Sequence, residues 1–324
     1  MYNICLIGAG QLGSRYLQGL KKTNIPMNLE VVDLNANSLR LAKERYDQIP
    51  ENEKILDVKW LLNIDELNNS IDLAIISTNA DVRFLVLEEL LEKKQIKKLL
   101  LEKILFQELD EYRLVSEILQ SKKITCWVNH IRREFPFYKK LKMELIEEKQ
   151  IFISVQGGDW GLACNGLHFI DLLSYLGNSN DLTVNIDFLN KNIYQNKRVG
   201  FIEFQGTLIV KLGNHSLSLY SSETPGIQLI TIASDNYRYI IDESNGIIHK
   251  ASADNQWKWE EWKEKIVHFQ SEITHRIVED ILYTGHCLLP SYNEAVTLHT
   301  PFIASLLEFY NKITNEKHDR LPIT

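Results

Sequence analysis

Residues 3–15, NICLIGAGQLGSR, constrain the fold more than any other stretch of the chain. An apolar run ends at Gly8, and Gly8, Gly10 and Gly13 follow in GxGxxG spacing where a helical pattern opens. The spacing alone is common. Here it follows a strand-like run, precedes a helix and has an acid, Asp33, twenty residues beyond Gly13. Gly8 permits a tight turn, Gly10 lets the backbone approach a phosphate, and Gly13 lets helix and strand pack closely. The first N–H groups of the helix, around Gln11, Leu12 and Gly13, then point at the bound oxygens. A glycine turn without a ligand is the competing reading. The conjunction of strand, helix and acid favours a dinucleotide.

Asp33 ends the run VVDLN, where a carboxylate can accept both hydroxyls of an adenosine ribose. It would repel a 2′-phosphate, and no Arg or Lys follows until Arg40. Such a clash costs about 1–3 kcal/mol, a preference for NAD over NADP of roughly 10- to 100-fold. Asp33 can also serve as a helix cap.

The first part of the chain alternates strand and helix. Apolar runs at 2–8, 28–34, 71–78, 97–103 and 124–130, with a weaker one near 58–61, read as buried parallel strands. Helical patterns occupy 11–22, 37–48, 81–93 and 108–121. This is the signature of a doubly wound α/β sheet. The second part alternates with period two at 150–157, 182–189, 215–220, 227–234 and 237–242, with a hairpin turn in ESNGIIH (243–249). One helix is expected near 165–176 and others near 258–284 and 293–313. That pattern gives a mostly antiparallel α+β domain, with the junction near 122–130.

Length and charge narrow the function. The chain has 324 residues, enough for two domains, and a net charge of −7 with no basic block, which disfavours nucleic acid and anionic membranes as partners. No stretch reads as a membrane span or signal peptide. The four scattered cysteines include no CxxC pair, and free thiols in a reducing cytoplasm fit them best.

Beyond the glycines, IISTNADVRF (75–84), LLEKI (100–104), GLACNGLHFIDLLSYLG (161–177) and LPSYNEA (289–295) resemble stretches of the glucose–fructose oxidoreductase / inositol dehydrogenase (Gfo/Idh/MocA) family. The resemblance spans nearly the whole chain. It implies an NAD(P)-binding Rossmann domain over 1–124 and a substrate-binding and oligomerisation α+β domain over 125–324. It also implies NAD-dependent oxidation or reduction of a sugar, sugar acid or nucleotide-sugar derivative, and a homodimer or higher homo-oligomer. Lys103 takes the position of the family's catalytic lysine, His168 that of its acid/base histidine, and Asp171 that of the second acid on the helix. Ser77, Thr78, Asn79 and Glu102 fall on stretches that contact the cofactor. Four positions depart from the pattern. Asn79 replaces the turn proline, Arg83 the turn histidine, Ile104 the proline after Lys103, and Cys164 an aspartate four residues before His168.

Read from the residues themselves, Lys103 ends a strand, where open α/β sheets present ligand contacts. A lysine there can polarise a carbonyl or hold a hydroxyl; it can equally pair with Glu102. On a helix from Asn165, with Asn165 as cap, His168, Asp171 and Tyr175 share one face. Asp171 can then fix the His168 tautomer, either for proton transfer or as a purely structural pair. Cys164 can fill space, act as a thiolate that forms a thiohemiacetal, or ligate a metal with His168. No second Cys/His pair supports the last, and no metal site is expected. Asn165 can orient substrate hydroxyls. Arg83, Arg132 and Arg133 can hold a carboxylate or phosphate, or be solvated. Trp257, Trp259 and Trp262 suit stacking on sugars or packing at an interface. A cofactor-binding sensor with a degenerate catalytic site is the alternative of a different class.

Overall fold

The computed structural model describes residues 1–324. They divide into two compact units: residues 1–106, 110–129 and 268–292, and residues 107–109, 130–267 and 293–324.

In the first unit, β1 (Tyr2–Ile7), β2 (Met27–Val32), β3 (Ile55–Leu61), β4 (Leu73–Ile76), β5 (Lys98–Leu101) and β6 (Thr125–Val128) form one parallel sheet in the order β3-β2-β1-β4-β5-β6. Helices α1 (Gln11–Leu20), α2 (Ala36–Asp47), α3 (Ala80–Lys93) and α4 (Leu109–Lys122) connect the strands. The central strands are buried on both faces, which explains their unbroken apolar runs. The order reverses between β1 and β4, and ligands of such sheets bind at the carboxyl ends of the strands beside that reversal. The unit continues past the expected junction at 124/125. β6 completes its sheet, and α7 (Gln270–Tyr283) returns to pack on α1, where a Cβ on Gly19 would lie 2.6 Å from the Thr274 Cβ.

In the second unit, α5 (Pro136–Glu144) leads into β7 (Ile151–Gly158), α6 (Leu162–Gly177), β8 (Leu182–Asn185), β9 (Gly206–Leu212), β10 (His215–Ser222), β11 (Gly226–Ser234), β12 (Tyr237–Asp242), β13 (Ile247–Ser252) and β14 (Glu260–Lys263). These strands form an eight-stranded sheet in the order β8-β9-β10-β7-β11-β12-β13-β14, antiparallel except for the parallel pair β10–β7. Burial alternates along β7, β9 and β10, and α6, apolar around almost its whole circumference, covers the inner face. α8 (Tyr292–Thr314) follows.

Two expectations need correction. The single helix near 258–284 is instead strand β14 and, from Gln270, helix α7. Residues 260–263 pair antiparallel with β13, 264–269 are extended connection, and the helix begins only at Gln270. The helix expected from Asn165 begins at Leu162, after Gly161 in left-handed conformation. No helix is long and apolar enough to cross a membrane.

Candidate functional site

The glycine turn divides its three glycines by role. Gly8 has φ +96°, and a Cβ there would lie 2.9 Å from the Thr78 N; a Cβ on Gly13 would lie 1.9 Å from the Gly8 carbonyl oxygen. Both are demanded by the fold. A Cβ on Gly10 would meet nothing within 4 Å, and its φ of −66° suits any residue. Open space at Gly10 is what a bound phosphate needs. Helix α1 starts there with no side-chain cap and no acid in its first turn, so its leading N–H groups and positive dipole end are left for an anion.

Asp33 stands beside this turn. Its carboxylate accepts from the Ala9 N–H at 2.7 Å and the Asn35 N–H at 2.8 Å. Asn35, not Asp33, caps α2, accepting from Asn37 N–H and Ser38 N–H. Arg40 is exposed and committed to Glu44 at 2.5 Å and Asn37 at 2.8 Å. Ser77 donates its hydroxyl to the Gly8 carbonyl at 2.7 Å, so it braces the turn instead of facing a ligand. The buried Thr78 Oγ1 has no hydrogen-bond partner, and the Thr78 methyl packs against Gly8. Exposed Asn79 precedes α3 and makes no side-chain cap bond. An orphaned hydroxyl, an open glycine and an uncapped helix end fit a dinucleotide.

At the end of β5, neighbouring residues part. Glu102 is buried and points inward, accepting from the Tyr16 hydroxyl and from Asn129 Nδ2 at 2.6 Å. Burial pushes its carboxyl up; Tyr16, Asn129 and the nearby Arg83 oppose the shift. It ties β5 to α1 and β6, which corrects its expected place in the cofactor contacts. Lys103 is half-buried at the carboxyl edge of the sheet, and the Lys103–Ile104 peptide is cis.

Arg83 is also corrected. Its guanidinium is buried and donates to the carbonyls of Ile104, Leu105 (2.9 Å) and Thr78. Burial lowers its pKa to about 10, against the pull of Glu102. It clamps the segment after Lys103 to the turn after β4 through Nη1 and Nη2, and its buried Nε has no partner. Asn129 was missed by sequence reasoning, although it ends β6 on the same edge. It bridges Glu102 and Gln270 (2.9 Å), and its buried Oδ1 has no partner.

In the second unit, α6 carries His168, Asp171 and Tyr175. Asp171 is fully buried and holds Arg133 bidentately, with Nε at 3.0 and 3.1 Å and Nη2 at 2.8 Å. Burial pushes the Asp171 carboxyl up and Arg133 pulls it down. The carboxylate expected to hold His168 therefore takes a guanidinium, and Arg133 is no free anion receptor. Arg132 is likewise paired with Glu243, at 3.0 and 2.7 Å, so the three arginines share no ligand. Half-buried His168 instead meets the His130 ring edge-on, with centroids 5.6 Å apart.

The start of α6 is capped from a distance. Glu203, on the short strand Ile202–Glu203, accepts from the Ala163 N–H at 2.8 Å and Asn196 Nδ2 at 3.0 Å. It also accepts hydrogen bonds from the Cys164 side chain and backbone. Cys164 is buried, faces this carboxylate and receives Asn196 Nδ2 at 3.3 Å. Those surroundings are the reverse of the cationic ones that activate a thiolate. Asn165 lies inside the helix and donates to the Trp160 carbonyl at 2.8 Å, which corrects its expected roles as cap and substrate ligand. Nothing in the local spacing could have revealed Glu203, which is about forty residues away. Glu203→Ala should lower stability by about 1–3 kcal/mol in urea unfolding by stranding buried donors; a loss below about 0.5 kcal/mol would remove the cap assignment.

Trp257 and Trp259 are exposed, Trp257 lying under Arg238 at 4.9 Å; Trp262 donates to Glu264 at 3.2 Å.

A parallel sheet with a dinucleotide-type turn at its reversal, together with an open, mostly antiparallel sheet backed by α6, is the two-domain fold of the Gfo/Idh/MocA oxidoreductases. The chain is similar to a Gfo/Idh/MocA family oxidoreductase from Vibrio cholerae, with 18% identity, 97% of this chain and 100% of that one covered, and a TM-score of 0.70. It is similar to an oxidoreductase from Agrobacterium radiobacter solved with NAD+, L-tartaric acid and magnesium (13% identity, 96% and 97% covered, TM-score 0.69). It is also similar to the super-repressor mutant of Gal80p from Saccharomyces cerevisiae (13% identity, 97% and 96% covered, TM-score 0.71). No protein-family model matches the chain, and no curated protein matches it in sequence. At such identities the likeness establishes the fold.

Proposed function

We propose that the protein is a nicotinamide-dependent oxidoreductase acting on a sugar, sugar acid or nucleotide-sugar derivative, with NAD preferred over NADP. The observation that carries this reading is Gly10, a glycine that the fold does not require, at the uncapped start of α1. A bound nicotinamide supplies the hydride acceptor or donor. Gln11, Leu12 and Gly13 present N–H groups to the phosphates, and Asp33 accepts the ribose hydroxyls with its remaining lone pairs. Thr78 and Asn79 border the same turn. Lys103 polarises the substrate oxygen, and His168 takes or gives the hydroxyl proton. The Agrobacterium neighbour, solved with NAD+ and a hydroxy acid, supports the reading.

The alternative is a cofactor-binding regulator. Cys164 and Ile104 at catalytic-motif positions and the likeness to Gal80p favour it. Titration with NADH, followed by absorbance screening of sugars, sugar acids and nucleotide sugars, separates the two. Turnover supports the enzyme; tight binding with none across the panel supports the regulator.

Asp33→Ala should narrow the preference for NADH over NADPH by roughly 10-fold or more, because the carboxylate that repels a 2′-phosphate is gone. Equal discrimination in wild type and variant would contradict Asp33 as the selector. A homodimer is part of the proposal. Phe152, Tyr220 and Leu229 lie exposed on the outer face of the second sheet, and light scattering should give twice the chain mass.

A further inference from the structure

Three histidines meet inside the second unit. His130 Nε2 and His299 Nε2 are 2.8 Å apart, with ring planes at 84° and both side chains buried. The His130 ring also lies edge-on to His168 at 83°. In an imidazole–imidazole hydrogen bond one ring donates its Nε2–H and the other offers a lone pair. The pair therefore holds one proton between its facing nitrogens, and its two rings have opposite roles. A hydrocarbon would fill the same volume without the desolvation that two buried imidazoles carry.

The charged groups on the neighbouring elements have partners of their own, Lys142 among them at the Tyr175 carbonyl. Arg133 is bound to Asp171, with Glu294 at 4.0 Å; Arg132 to Glu243; Lys139 to Glu134 at 2.6 Å; and Glu203 to the α6 terminus.

We propose that His130 and His299 are positioning residues for His168: their shared-proton pair fixes the orientation of the His168 ring and sets the pH at which His168 gains and loses its proton. The physical basis is like-charge coupling. The pair can take up one additional proton, and a positive charge on it opposes a second on His168, so the cluster titrates as a unit. The inference rests on the oxidoreductase reading only for its consequence in turnover. The coupling itself is present with or without a substrate.

The test is nitrogen-edited NMR of the histidine side chains in the full-length protein, in wild type, His299→Leu and His299→Gln. Wild type should show one of His130 and His299 as the Nε2–H tautomer and the other as Nδ1–H. In His299→Leu the His168 titration should move upward by about one pH unit, and His299→Gln, which restores a polar partner, should return most of that shift. If His299→Leu does not fold, His299→Met is read the same way. An unmoved or lowered His168 titration in a folded variant, identical tautomers on both rings, or a stoichiometric divalent metal on the cluster would overturn the pairing. Should a substrate be found, the acid limb of kcat should shift with the His168 titration while KM stays put. NMR coupling without any turnover counts against the oxidoreductase reading and leaves the pairing standing.

Discussion

Lys103→Ala should reduce turnover by roughly 10²- to 10⁴-fold, the usual contribution of a group that polarises or protonates a reacting oxygen. NADH affinity should remain within a few-fold. The side chain stands at the carboxyl end of β5, while the segment beyond it is held through backbone carbonyls by Arg83, which the substitution leaves in place. The glycine turn and Asp33 belong to other strands, so dinucleotide binding does not depend on the lysine. Turnover and NADH fluorescence measured on the same preparation separate the two effects. Unchanged turnover removes Lys103 from the chemistry.

The largest stability effect is expected from Asp171→Ala. It leaves Arg133, itself mostly buried, with an unmatched charge beside α6. Removing one partner of a buried ion pair costs about 3–5 kcal/mol, which urea unfolding would show as a midpoint lowered by about 1 M or more. Replacing both partners, Asp171→Leu with Arg133→Met, should recover most of the loss, because no charge is then stranded. A single substitution costing under about 1 kcal/mol would mean that the pair is solvated. His168 lies one turn earlier on the same helix, so loosening this anchor should also disturb the histidine cluster.

Much of the fold was legible because its signals are local. Strands β1, β4 and β5 are buried on both faces and read as unbroken apolar runs, and the GxGxxG spacing places the turn and α1 correctly. β14 was read as helix because its four residues, Glu-Glu-Trp-Lys, are too few to show either period. At the site, sequence gave residue types in position but not where they point. Glu102 and Lys103 are adjacent just past β5, yet one enters a buried network and the other stays at the edge. Arg83, Arg133 and Asp171 carry charges that sequence reads as available, and folding spends them on carbonyls and on each other. The cap on α6 and the His130–His299 contact join residues about 40 and 169 apart, beyond any spacing rule.

The most direct test of the account is NADH binding to wild type and to Gly10→Val, followed by fluorescence. A Cβ on Gly10 meets no protein atom within 4 Å, so the variant should fold, with a loss of about 1 kcal/mol for an apolar residue at the start of α1. Its added methyl groups occupy the space that a pyrophosphate needs. Saturable binding by wild type, weakened at least about 10-fold in a fully folded Gly10→Val, is the predicted result. No binding by wild type, or equal binding by both proteins, would contradict the assignment of this turn as a dinucleotide site and with it the proposed function.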